Sequence, residues 1–132
     1  MLSVVLVDDE LVSAQALAIL LAGAGLKVRI AEDGETGLRL ISESRPDVVV
    51  TDFMMPTMTG LELARALRGG PDENTSRIPL ILLSAAQADI GRQHPDMFDV
   101  ILEKPCHPDQ VLAAVLAVGA ALATTHSPVK NP

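Results

Sequence analysis

The sequence predicts an α/β domain: a doubly wound, five-stranded parallel sheet with helices on both faces. Three observations predict it. Short apolar runs alternate with longer segments of helical spacing along the chain, an order that demands crossovers between parallel strands. Several of the runs are apolar on both alternations, as strands covered on both faces are. The length of 132 residues, with 48% apolar and 20% charged positions, suffices for one core and would be cramped for two.

Residues 3–7 (SVVLV) form the first buried strand. Residues 10–24, rich in Ala and Leu, form a helix that stops at Gly25. In residues 27–31, Lys27 and Arg29 alternate with Val28 and Ile30, the pattern of a half-exposed edge strand. A second helix spans residues 34–44, with Leu38 and Ile41 inward and Glu35, Arg39 and Glu43 outward. Arg45-Pro46 ends it, because the residue before proline avoids helical geometry. Residues 47–51 (DVVVT) are a third strand, residues 52–59 a loop containing Pro56, and residues 60–68 a third helix ended by Gly69-Gly70-Pro71. A polar loop runs to Arg77, followed by a fourth strand at 79–83 (PLILL). Gly91 and Pro95 break residues 85–96, so the fourth helix there is reduced or irregular. Residues 98–102 are a fifth strand and 109–124 a final helix, opened by Pro108 or Asp109, with Asp109 at its positive end. Residues 1–124 form the domain, and residues 125–132 read as a flexible tail or linker stub.

Composition narrows the function. The aromatics are Phe53 and Phe98 alone, so no base-stacking platform is present. The formal net charge is −7, from ten basic and seventeen acidic residues, which leaves no phosphate-tracking groove and argues against direct nucleic-acid binding. The single cysteine, Cys106, excludes an internal disulfide and a cysteine-rich zinc site, and fits a reducing cytoplasm. The start lacks a basic n-region and cleavage site. The longest apolar run, residues 111–123, falls short of the roughly 20 residues a membrane span needs. A cytoplasmic protein with no membrane association is expected.

A doubly wound sheet places its ligands beyond the carboxyl ends of its strands. There the sequence puts Asp8, Asp9 and Glu10 after the first strand, Asp52 after the third, Ser84 after the fourth and Lys104-Pro105 after the fifth. Singly, each has a plain structural reading: acids at a helix N-terminus, an N-cap serine, a solvated lysine. Together they bring three carboxylates, a hydroxyl and an ammonium group into one volume. Three clustered carboxylates call for a compensating cation, and a hard divalent ion with oxygen ligands suits them.

The segments Val7-Asp8-Asp9-Glu10, 52–60 (DFMMPTMTG), Leu83-Ser84-Ala85 and Lys104-Pro105 resemble, in this order and spacing, the receiver domain of two-component response regulators of the chemotaxis-regulator type. The resemblance covers residues 4–122. It implies a flavodoxin-like (βα)5 three-layer sandwich with strand order 2-1-3-4-5. It implies that Asp52 accepts a phosphoryl group from a histidine kinase or histidine phosphotransfer protein. It also implies a Mg²⁺ ion held by Asp9, Asp52 and the backbone carbonyl of Met54, with Asp8 acting mostly through water. Lys104 would pair with a phosphoryl oxygen. Ser84 would bond another and move toward it, reshaping the face of the fourth helix, fifth strand and last helix. Lys104–Pro105 is implied to be cis. Such a domain catalyses only its own phosphorylation and dephosphorylation.

The chain departs from that pattern at Ile101, where the family usually places an aromatic that couples to the hydroxyl. Met54 and Gln87 flank the acceptor and would tune access of water to it. His94, His107 and His126 read as solvated, Cys106 as an inert small hydrophobe, and Met54, Met55 and Met58 as rim or core filling. The last helix is uncharged from Gln110 onward, and the first from Leu11 to Leu26. Each is either buried in the core or a contact surface, and the last is a candidate homodimer face.

Two other functions fit less well. An aspartate-nucleophile phosphatase would carry a second Asp where Met54 stands, and a cap domain for which this length leaves no room. A scaffold receiver that is never phosphorylated would lack an acid or the lysine, and both are present. No Gly-x-Gly-x-x-Gly follows the first strand, which disfavours dinucleotide binding. The length also leaves no room for an output domain, so the chain reads as a stand-alone regulator or a receiver from a larger protein.

Overall fold

The computed structural model describes residues 2–85, 89 and 92–125. Its elements in chain order are β1 (Ser3–Val7), α1 (Leu11–Gly23), β2 (Lys27–Ala31), α2 (Gly34–Ser44), β3 (Val48–Asp52), α3 (Gly60–Arg68), α4 (Glu73–Ser76), β4 (Leu80–Ser84), β5 (Val100–Glu103) and α5 (Pro108–Thr125). The five strands form one parallel sheet in the order β2-β1-β3-β4-β5. The flavodoxin-like three-layer architecture is therefore present, with the strand order reversing between β1 and β3.

Strand periodicity divides the core in two. Val5, Val7, Val49, Leu80 and Leu82 face one side, with Ile41 of α2, Leu63 and Leu67 of α3, and Phe53 and Phe98. Val4, Leu6, Val48, Val50, Ile81 and Leu83 face the other, with Leu17 and Leu21 of α1 and Val111 and Val115 of α5. Burying each such side chain is worth about 1.5–3 kcal/mol, and the uninterrupted apolar strands are what two covered faces require. Edge strand β2 keeps Lys27 and Arg29 exposed, as its alternation predicts.

Local chemistry sets the element ends. Asp33 caps α2 by accepting from Thr36 N–H at 2.7 Å. Thr59 and Glu62 cap α3 reciprocally: Glu62 N–H donates to Thr59 Oγ1 at 3.2 Å and Thr59 N–H to Glu62 Oε1 at 2.8 Å. Gly60 is required by close approach, because a Cβ there would lie 2.6 Å from the Asp52 carbonyl oxygen. Thr57 in the preceding loop has φ 64°, a left-handed conformation costly for a β-branched residue.

Some boundaries correct the sequence reading. β3, β4 and β5 begin one or two residues later than expected, and α4 arises inside the segment read as polar loop, capped by Asp72 accepting from Asn74 N–H at 2.9 Å. The late start of β5 has a polar cause. Phe98 turns into the core, and Asp99 Oδ1 accepts from Leu80 N–H at 2.9 Å. Arg68, at the end of α3, donates to Asp99 Oδ1 and to the carbonyls of Ser76, Ile78 and Met97. One guanidinium thus gathers the entrances of β4 and β5. The expectations for Gln87, Gly91, His126 and the tail beyond Thr125 lie outside the described residues.

Candidate functional site

The strand ends converge as the topology requires. Asp8 follows β1, and its N–H donates to Ala31 O at 3.0 Å, carrying the ladder one residue past the strand. Asp8 is 5% exposed, and its Oδ1 accepts from Glu10 N–H at 2.9 Å. Burial pushes its carboxyl above the usual aspartate value against that hydrogen bond, and the Asp52 and Asp9 charges add to the push while Lys104 opposes it. Asp52 ends β3, with Oδ1 accepting from Phe53 N–H at 3.1 Å and from Lys104 Nζ at 2.9 Å. Carboxylate oxygens of Asp8, Asp9 and Asp52 lie within 4.8 Å of one another. Like charges at that spacing repel by roughly 3 kcal/mol per pair at an effective dielectric near 20, less for exposed Asp9. Lys104 compensates one charge. Three hard oxygen donors at this spacing fit a small divalent cation.

Lys104 is fixed from both sides. Its N–H donates to Ser84 O at 2.8 Å, beyond the last β4–β5 pair. Burial opposes charge on its ammonium, but Asp52, Asp8 and Glu10 outweigh that, and its pKa stands above the ordinary lysine value. The Lys104–Pro105 bond is cis. Ser84 ends β4 at 1% exposure, and its Oγ has no hydrogen-bond partner among the described residues. An orphaned buried hydroxyl is uncommon and asks for an occupant.

The remaining sequence candidates are distributed around this cluster. Met54 is 58% exposed in the loop after Asp52, whereas Met55 is buried. Ile101 is half-buried against the α2/α3 side of the core rather than among the site residues. Cys106 is half-buried, its thiol pushed up by burial despite Lys104. Cys106 also lines an open cavity of about 510 Å³ with Asp8, Glu10, Leu17, Lys104 and Val111, between α1 and α5. Val111 and Val115 show that the inner side of the uncharged last helix belongs to the core; Leu116 on α5 and Val12 and Ile19 on α1 stay exposed.

One residue near the site escaped the sequence reading. His107, read as a solvated loop histidine, opens α5: its Nδ1 accepts from Asp109 N–H at 3.2 Å, and its N–H donates to Gln110 Oε1 at 2.8 Å. Gln110 reaches back to the cap N–H as in a capping box, while the histidine ring caps the second helical residue, Asp109, rather than the third. The signal was His107-Pro108-Asp109-Gln110, a polar residue three before a glutamine, with proline at the first helical position.

A sequence model of the response regulator receiver domain matches residues 4–116. The transcriptional regulatory protein AfsQ1 of Streptomyces coelicolor is 39% identical over 88 residues, covering 67% of this chain and 37% of that protein. The DNA-binding response regulator MtrA of Mycobacterium tuberculosis is 32% identical over 116 residues, 86% of this chain and 49% of that one. The chain spans half the length, or less, of these curated relatives. Among solved structures, the signal receiver domain of a histidine kinase from Syntrophus aciditrophicus superposes with a TM-score of 0.84 at 28% identity, covering 96% of both chains. Chemotaxis protein CheY4 of Vibrio cholerae gives 0.81 at 29% identity, covering 89% of this chain and 98% of that one.

Proposed function

Because this chain belongs to the response regulator receiver domain family of two-component systems, we propose that it accepts a phosphoryl group on Asp52 from a phosphohistidine of a kinase or phosphotransfer protein. The observation that carries the reading is the buried Ser84 Oγ, which has no partner among the described residues, on the strand next to the one that Asp52 ends. A hydroxyl donor kept without a partner is supplied with one when a phosphoryl oxygen arrives.

In the proposed reaction an Asp52 carboxylate oxygen attacks phosphorus. The bond from phosphorus to the donor's imidazole nitrogen breaks, and that nitrogen keeps the electron pair. Asp52 becomes a mixed carboxylic–phosphoric anhydride. Attack by water on its phosphorus later releases inorganic phosphate and restores the carboxylate. Lys104 Nζ, already on Asp52 Oδ1, follows the charge to a phosphoryl oxygen. Ser84 donates to another, drawing the end of β4 inward. Asp8, Asp9 and Asp52, with the Met54 carbonyl, would hold Mg²⁺, whose charge offsets that of the carboxylates and the phosphoryl oxygens. Met54, exposed in the loop after Asp52, is assigned by this reading to tuning the access of water to the anhydride.

Intact-mass measurement after incubation with acetyl phosphate and Mg²⁺ tests the proposal. One added phosphoryl group is expected in the wild type and none in Asp52→Asn. A gain that survives the substitution, or is indifferent to EDTA, overturns it.

The same reading assigns the domain to the cytoplasm and to protein rather than nucleic-acid contacts, in keeping with a net charge of −7. Among the described residues no helix is long and apolar enough to cross a membrane. DNA binding belongs by name to longer relatives such as MtrA. Self-association through the last helix is part of the proposal, and sedimentation before and after phosphorylation measures it.

A further inference from the structure

We propose that His107 is a positioning residue for Lys104, and that it acts only when neutral. The inference rests on the phosphotransfer reading above. Residues 104–107 link the end of β5 to the start of α5 and are held at both ends. At one end Lys104 N–H donates to Ser84 O at 2.8 Å. At the other, His107 N–H donates to Gln110 Oε1 at 2.8 Å, the His107 ring accepts from Asp109 N–H at 3.2 Å, and Gln110 N–H donates to His107 O at 2.8 Å. Pro105 and Cys106 are all that lie between, so the cap fixes the far end of the segment that presents the lysine.

The cap has an unusual dependence on a proton. Nδ1 of His107 accepts from Asp109 N–H at 3.2 Å and stands 3.4 Å from Asp109 Oδ2. These two relations exclude one another. A lone pair on Nδ1 can accept the amide; a protonated Nδ1 can only donate to the carboxylate. Protonation therefore orphans the Asp109 N–H and adds a positive charge to the positive end of a helix. A serine, asparagine or aspartate cap undergoes no such change near neutrality, whereas histidine ordinarily changes charge between about pH 5 and 8. The charged group set against the imidazole is Asp109 on its own helix; Lys104, Asp8 and Glu10 line the cavity that the neighbouring Pro108 also lines.

The test compares the wild type with His107→Asn, whose cap does not titrate, and His107→Ala, which has none. NMR follows the Asp109 amide while acetyl phosphate phosphorylation is timed from about pH 7.5 to 5.5. The Asp109 amide should titrate together with the His107 ring and lose protection about fivefold on protonation, the size of a lost cap. The phosphorylation rate of the wild type relative to His107→Asn should fall about two- to fivefold with the same midpoint. The alanine variant should be slow throughout. Acid effects on the donor or on the carboxylates are common to all three proteins and cancel in the ratio. A flat ratio, or an Asp109 amide indifferent to the His107 ring, overturns the inference. A wild type that takes no phosphoryl group at any pH overturns instead the reading it rests on, and the amide titration still decides the cap.

Discussion

Replacing Ser84 by alanine should make the metal-free protein more stable and the phosphorylation slower. The wild type buries a hydroxyl at 1% exposure without a hydrogen bond among the described residues, and an unpaired buried polar group costs roughly 1–3 kcal/mol. Alanine removes that cost and leaves a void the size of one oxygen, about 15 Å³, worth roughly 0.4 kcal/mol. The net gain is about 1 kcal/mol. For 132 residues, an unfolding entropy of about 2.1 cal/mol/K per residue converts it to a melting temperature roughly 3–4 °C higher. In urea, with a slope of about 2 kcal/mol/M, the midpoint rises by roughly 0.5 M. Circular dichroism with EDTA present reads both. Phosphorylation moves the other way, because a lost hydrogen bond to a charged oxygen is worth about 1.5–3 kcal/mol, or roughly 10- to 100-fold in rate. A variant less stable than the wild type by more than about 0.5 kcal/mol would show that Oγ is satisfied in the resting fold, refuting the reasoning.

Three further outcomes are expected. Gly60→Ala drives a Cβ to 2.6 Å from the Asp52 carbonyl oxygen; overpacking of about 1–3 kcal/mol outweighs the helix gain, and the urea midpoint should fall. Thr57→Gly relieves the left-handed strain at φ 64° and should stabilise by roughly 0.5–1 kcal/mol once glycine's entropy is charged against it. Asp8→Asn should raise the melting temperature in EDTA at neutral pH. The folded-state pKa of Asp8 is raised above 3.8, so the folded form holds this proton more tightly, and wild-type stability falls as pH rises from the unfolded toward the folded value. The advantage of the Asp8→Asn variant should therefore shrink on acidification. An Asp8→Asn protein equally or less stable at pH 7 would contradict that sign, and Mg²⁺ titration should show weaker binding.

The sheet was legible because fully apolar runs such as residues 4–7 and 80–83 leave few other placements, and the boundaries of β1, β2, α2 and α3 fall where the sequence puts them. The convergence of Asp8, Asp9, Asp52, Ser84 and Lys104 followed from one topological rule. What stayed hidden depends on single polar contacts between distant residues. Nothing in the order of residues ties Arg68 to Met97 and Asp99, which set where β5 begins. Nor does it disclose that the Ser84 hydroxyl has no partner among the described residues, since an absent partner is a property of packing. His107 was passed over because isolated histidines in loops are commonly solvated, although its three-residue spacing to Gln110 carried the cap signal.

The Arg68 clamp gives the sheet one bolted end. With Ser76, Ile78, Met97 and Asp99 tied to a single guanidinium, β4 and β5 are anchored at their feet, while at the opposite ends Ser84 and Lys104 are held to each other, and Lys104 to Asp52, by single contacts. If Asp52 takes the proposed phosphoryl group, a pull at those ends bends the pair like cantilevers, with displacement greatest beside Asp52 and dying away toward the base.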